Sequence, residues 1–132
     1  MEIQLLQPAG LVASPAFSHV AVVPAGATTV YVGGQNGVDE TGAIVHGGVA
    51  EQSVRAIENA TVALAAAGAS LADVISWTVL IDADADLGAA YGSIAGMLAR
   101  EGAPPLVTAA RVAGFGVPGA LIEVSAVAAL LP

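Results

Sequence analysis

Two residues draw attention for chemistry because of their surroundings. Arg111 lies within PPLVTAARV (104–112) and is one of only three basic residues in the chain; Glu123 lies within LIEVSAVAALL (121–131). A guanidinium in an apolar run needs an acceptor. A carboxylate in an apolar strand is costly unless it is paired or hydrogen-bonded, which makes Glu123 a candidate general acid or base. Two readings follow. The pair could close a salt bridge across the final hairpin, or Glu123 could act on a substrate while Arg111 anchors an anion.

Other candidate groups carry less. His19 and His46 stand far apart with no ligand spacing around them, so no metal site is expected. His46, in VHGG, reads as a loop residue, and His19 as structural or pocket-lining. DADAD (82–86) resembles the start of a calcium loop, but Leu87 and Ser93 stand where such a loop needs Gly and Glu, so it reads as a helix cap. GGQNG (33–37) is neither GxGxxG nor a P-loop and has no Lys. Nothing pairs a Ser with a His and an acid. With no cysteine there is no thiolate chemistry, and no cofactor is expected.

These residues must be positioned by one domain spanning 1–132. The formal charge of −8, from three basic and eleven acidic residues, argues against a nucleic-acid partner and against an anionic membrane surface. Apolar residues make up 56% and charged residues 11% of the chain. One small domain cannot hide so much apolar surface, so part of it is expected in a subunit interface. No stretch is long enough for a membrane span, and MEIQLLQPAG lacks the features of a signal peptide. A cytoplasmic homo-oligomer is expected.

Periodicity supplies the elements. Strands are predicted at 18–23 and 29–33 around a PAGA turn, and a helix at 49–67 with Val54, Ile57, Thr61, Leu64 and Ala65 on one face, stopped by Gly68. SLAD (70–73) reads as a short capping box before a strand at 74–81. A second helix is predicted at 87–100, capped by Asp84 or Asp86, and strands at 106–113 and 120–129 joined by GFGVPG. The fold class is α+β: two helices on one face of a mixed sheet, with the other face apolar enough to be an interface.

Four stretches carry a resemblance: PAFSH (15–19), VYVGGQNGVDETGAIV (30–45), AEQSVRAIENATVALAAAGASLADV (50–74) and PGALIEVSAVA (118–128). Together, and above all in the helix bearing Gln52 and Asn59, they resemble the RidA (YjgF) family, small proteins named for hydrolysing reactive enamines and imines. The resemblance implies a chorismate-mutase-like α+β fold and a homotrimer whose sheets form a central barrel, with small-molecule clefts at the subunit interfaces. It also implies an Arg at the start of the fifth strand that grips a substrate carboxylate, and a Glu on the last strand that places water.

Glu123 matches that Glu. The Arg position falls on Val107, the Ser of the family's SGQ on Gly33, the Asn of the second helix on Tyr91, and the Tyr after the early Pro on Phe17. The expected ligand-binding set is therefore Phe17, His19, Gly33, Tyr91, Val107 and Arg111, with Glu123 as the catalytic candidate. Arg111 lies four residues past Val107, about 13 Å along the strand, too far to take over the missing clamp. The expected function is a trimeric binder of a small metabolite without standard amino-acid-imine deaminase activity. The alternative is an enamine or imine hydrolase (a deaminase) acting on a non-standard substrate. Ribonuclease activity, attached by name to some relatives, fits poorly with the acidic balance.

Overall fold

The computed structural model describes residues 1–132. Helix α1 (Val49–Ala66) forms because Val49, Ser53, Ala56, Ile57, Ala60 and Leu64 recur on one side and are all buried. Glu51 closes its first turn by accepting the Gly48 N–H at 3.0 Å. At the other end the N–H of Ala69 reaches the Leu64 carbonyl and that of Gly68 the Ala65 carbonyl, both at 3.0 Å. Gly68, at φ +76°, supplies the left-handed residue this closure requires. The SLAD box follows as read, with Ser70 N–H on Asp73 Oδ2 at 2.8 Å.

The main sheet contains β3 (Thr28–Asn36), β4 (Val74–Asp82), β5 (Leu106–Val112) and β6 (Ile122–Leu130) in the order β3-β6-β4-β5. Strand β6 runs antiparallel to both neighbours, and β5 runs parallel to β4. Two short strands, β1 (Gln4–Leu6) and β2 (Val20–Val22), form a separate antiparallel ribbon. The predicted strand at 18–23 therefore exists, but its partner is the unpredicted β1.

The predicted final hairpin is absent. β5 returns parallel to β4 because helix α2 (Leu87–Leu98) is the crossover between them. The long apolar run of β6 suits a strand with neighbours on both edges, and it inserts at the centre. Arg111 stands opposite Ile81, which stands opposite Ile122; Glu123 stands opposite Leu80. Alternation places Arg111 on the helix-bearing face and Glu123 on the open one, so the salt bridge expected across the hairpin does not form within the chain. Instead Arg111 Nη1 donates to the carbonyls of Asp82, Ala83 and Ala85 at 3.3, 3.1 and 2.9 Å, tying down the turn that enters α2.

α2 is capped by Asp86, whose Oδ1 accepts the Ala89 N–H at 3.0 Å. The helix packs on α1 and only lightly on the sheet, and buries only Ala90 and Ile94. It ends at Leu98, two residues earlier than predicted. Arg100 turns back to donate to the carbonyls of Ala72, Val74 and Ala103, and Gly102 (φ +78°) redirects the chain toward Pro104 and Pro105.

Two amides of α1 bind the layers together. Gln52, 3% exposed, donates to the Gly119 carbonyl at 3.2 Å and accepts the Leu121 N–H at 2.8 Å. Asn59 donates to the carbonyls of Asn36 and Val38 at 3.1 and 2.9 Å. Gly37 lies directly against α1, where a Cβ would stand 2.5 Å from the Gln52 Cα.

Gln52→Ala removes both bonds of a buried carboxamide, leaving the part-buried Leu121 N–H without its partner, and is expected to cost about 1–3 kcal/mol in urea unfolding. Gly37→Ala is expected to cost about 1–3 kcal/mol in the same measurement. Arg111→Ala is expected to cost only about 1 kcal/mol, since its bonds are exposed. Combined with Glu123→Ala, the two losses should add to within about 0.5 kcal/mol; a larger coupling would show that the two side chains meet.

Candidate functional site

A cleft of about 590 Å³ opens between α2 and the β4–β5 edge of the sheet. It exists because α2 leans on α1 and leaves the outer strands uncovered. Trp77 and Val79 of β4 form the floor, Leu87, Tyr91, Ile94 and Leu98 of α2 one wall, and Val107 and Ala109 of β5 the other. Trp77 is 3% exposed, whereas Tyr91 at 54% and Val107 at 40% face the opening. The only charged residue in the lining is Arg100. Burial lowers the Arg100 pKa from its ordinary value, and nearby Asp73 partly opposes this.

The rim is built by residues 15–18. Ser18 Oγ donates to the Pro104 carbonyl at 2.6 Å and its N–H to the Pro105 carbonyl at 3.1 Å, laying this segment against the start of β5. Pro15 and Ala16 thereby reach the cleft. Phe17 and His19 stand beside it, edge to face at 5.4 Å; His19 Nε2 is bonded to the Val12 carbonyl at 2.6 Å, and the Phe17 carbonyl accepts from the Gln7 amide.

Glu123 and Gly33 belong to the open face. Glu123 is half-buried against Gly34, where a Cβ would come within 2.6 Å of the carboxyl carbon. Gly34 is therefore needed for the carboxylate to lie where it does. A Cβ on Gly33 would meet nothing within 4 Å, so packing does not exclude a serine there. The Glu123 carboxylate makes no hydrogen bond within the chain; the acids that do accept side-chain or backbone bonds are Asp39, Glu51, Asp73, Asp82 and Asp86. Asp39, exposed in the loop after β3, is held below the usual carboxylate pKa by the Thr41 hydroxyl and the backbone N–H groups of Ala43 and Thr41.

The sequence-predicted set thus falls into separate places. Tyr91 and Val107 meet in the cleft, Phe17 and His19 flank it, Glu123 and Gly33 lie through the sheet, and Arg111 sits at the far end of β5. Sequence reasoning missed Trp77 and Arg100. The register of β4 against β5 puts Trp77 opposite Val107, but that pairing is visible only once the crossover is recognised as parallel. All three cations are already engaged. Arg55 donates to Asn59 Oδ1 at 3.1 Å, and Arg100 and Arg111 donate to backbone carbonyls.

Known proteins share this architecture. The sequence profile of the family described as Endoribonuclease L-PSP matches residues 9–130. The chain is 49% identical over 53 residues to a RutC family protein of Pyrococcus abyssi, an alignment covering 39% of this chain and 42% of that one. It is 43% identical over 54 residues to the 2-iminobutanoate/2-iminopropanoate deaminase of Homo sapiens, covering 40% and 39%. The matched region thus spans about two fifths of these curated relatives' length. Among solved structures, the Rid-family protein YyfB of Yersinia pestis, described as of unknown function, superposes with a TM-score of 0.82 at 25% identity, covering 98% of this chain and 100% of that one. RidA of the Antarctic bacterium Psychrobacter sp. gives a TM-score of 0.69 at 28% identity, covering 86% and 93%. With nearly its whole length inside the family profile and its mixed sheet and helix pair matched by Rid-family structures, the chain belongs to the Endoribonuclease L-PSP family, the RidA (YjgF) family.

Proposed function

We propose that this protein is a cytoplasmic RidA-family homotrimer that binds a small, largely apolar metabolite in clefts completed by neighbouring copies, and that it does not hydrolyse amino-acid-derived imines. The observation that carries this reading is the engagement of all three arginines by oxygen atoms of the chain itself, with Val107 at the head of β5. Every copy in a homo-oligomer brings the same three arginines: Arg100, the one that lines the cleft, is bonded through all three of its nitrogens, while Arg55 and Arg111 lie outside the lining and are held through one nitrogen each. A valine cannot replace a bidentate charge clamp. The assembly is supported by the division of the family-matching positions between two faces of the sheet. Tyr91 and Val107 of one copy can meet Glu123 and Gly33 only if the latter come from another.

A second reading has one observation in its favour. The Glu123 carboxylate is free of partners in its own chain, as a group that places water on a neutral or cationic imine would be. Hydrolysis by this route would be abolished by Glu123→Gln with the oligomer intact.

Two measurements test the main reading. Light scattering should give three times the 12.8 kDa subunit mass; a stable monomer at micromolar concentration would overturn the assembly. Imines generated in situ from an amino acid by an oxidase should decay at least about tenfold more slowly than with an Arg-bearing relative, the loss expected when one charge-assisted hydrogen bond is missing. Equal acceleration by the two proteins would overturn the functional assignment.

A further inference from the structure

We infer that the ligand is a neutral, chain-like apolar molecule with one uncharged acceptor at its end, a ketone, ester or amide oxygen, and that this oxygen lies at Arg100. The inference rests on the cleft reading proposed above and gives its ligand a chemical class. Leu87, Tyr91, Ile94 and Leu98 recur at helical spacing, so one face of α2 turns to the cleft along the whole helix. Twelve residues at the α-helical rise make this wall about 18 Å long. Across from it, Trp77 and Val79 on β4 and Val107 and Ala109 on β5 are apolar as well. The space of about 590 Å³ is therefore a trough, of small-molecule size, with Leu87 at one end and Arg100, just past the last turn of α2, at the other.

Arg100 sits between this trough and a smaller cavity of about 260 Å³, where Asp73 and Glu101 join it in the lining. A guanidinium has five N–H donors. Nε and Nη2 spend one each on the Ala103 carbonyl at 3.4 and 3.3 Å, and Nη1 spends both of its own on the carbonyls of Ala72 and Val74 at 3.1 and 2.7 Å. One N–H of Nη2 is left, and an acceptor oxygen at the end of a ligand supplies its missing bond. A carboxylate would find this single donor in place of a bidentate fork. It would also meet Asp73 and Glu101 beside the same guanidinium, and would give up its hydration to enter an apolar trough. The net charge of −8 works against it too. An ammonium would meet a fixed cation and no acid in the trough's lining. A neutral oxygen incurs neither cost, and each methylene behind it buries further apolar surface along α2.

The test compares probes of one chain length by isothermal titration calorimetry and by the emission of Trp77, the single tryptophan and part of the trough floor. Methyl heptyl ketone carries its oxygen near the chain end, and its isomer dibutyl ketone carries it at the centre; nonanoate and nonylamine are the charged counterparts. Methyl heptyl ketone should bind at least about tenfold more tightly than each of the other three, as expected for one hydrogen bond to a charged group. It should also shift the Trp77 emission. Ala109→Phe, a variant at an exposed position of β5 that narrows the trough, should weaken this ketone at least about tenfold by overpacking the space its chain fills. Nonanoate or nonylamine binding as tightly as the ketone would overturn the neutral assignment while leaving the small-molecule cleft standing. Equal binding of the two ketones would overturn the placement of the oxygen at Arg100. Ketone binding that neither moves the Trp77 emission nor responds to Ala109→Phe would overturn the trough as its site. If none of the four binds up to millimolar concentration while light scattering shows the oligomer intact, the cleft reading itself falls, and the ligand class with it.

Discussion

The buried carboxamide of Gln52 is the contact on which the rest of the molecule turns. It spends its acceptor on the Leu121 N–H and its donor on the Gly119 carbonyl, and so places the start of β6 against α1. Seven residues on, two helical turns along the same side, Asn59 does the same for the end of β3. Asn36 then reaches from β3 to the Ile122 carbonyl at 2.9 Å and joins the two clamped segments. Apolar packing presses α1 onto the sheet, but it is non-directional. The amides give it a register, and that register puts Glu123 beside Gly34 and holds the helix-bearing face shut along β3 and β6. What remains uncovered is the β4–β5 side, where the cleft lies.

A second economy concerns charge. A chain with three cations has little freedom in how it uses them, and here each closes a local structural gap. Arg55 orients the Asn59 amide, Arg100 ends α2 and starts β5, and Arg111 secures the turn before α2. Main-chain carbonyls are demanding acceptors because they cannot be left dry and unpaired. A guanidinium with five donors in one plane satisfies several at once. The result is a protein whose cations hold the scaffold around a cleft with almost no charge of its own.

Much of this was legible in the sequence, and the failures have identifiable causes. Helix α1, its Gly68 terminator and the SLAD box follow from local rules, and they stand where those rules put them. The helix α2 cap is legible to within two residues, and Asp86 is the one whose carboxylate accepts the Ala89 N–H. The final hairpin is the expectation that fails: β5 and β6 are adjacent in sequence, but β4 lies between them in the sheet. The strand–helix–strand run from Val74 to Val112 already implied a parallel pair, and the two-sided apolar run of β6 already implied a central strand. Neither signal is local. Gln52 was noticed only through the family resemblance; as a lone polar residue on an amphipathic helix it has no pattern that announces a clamp. Arg111 and Glu123 were drawn together because both are charged and nearby in sequence. A single intervening strand, with the alternation it enforces, sends them to opposite faces.

Helix α2 bears a further consequence. Gly88, Gly92 and Gly96 recur along its twelve residues, and added Cβ atoms at Gly92 and Gly96 would meet nothing within 4 Å. Each interior glycine costs a helix about 1 kcal/mol relative to alanine. The helix is anchored to α1 through a narrow seam and bonded to the remainder chiefly at its ends, by Asp86, Arg111 and Arg100. Such an element opens well before the sheet does, because local unfolding begins where buried contacts are fewest and intrinsic helicity is lowest. The glycine spacing of α2 therefore makes this wall of the cleft intrinsically the weaker one, while its floor, on β4, shares the packing of the core. A fluctuation of this one short helix would reshape the cleft while leaving the clamped layers of α1, β3 and β6 undisturbed.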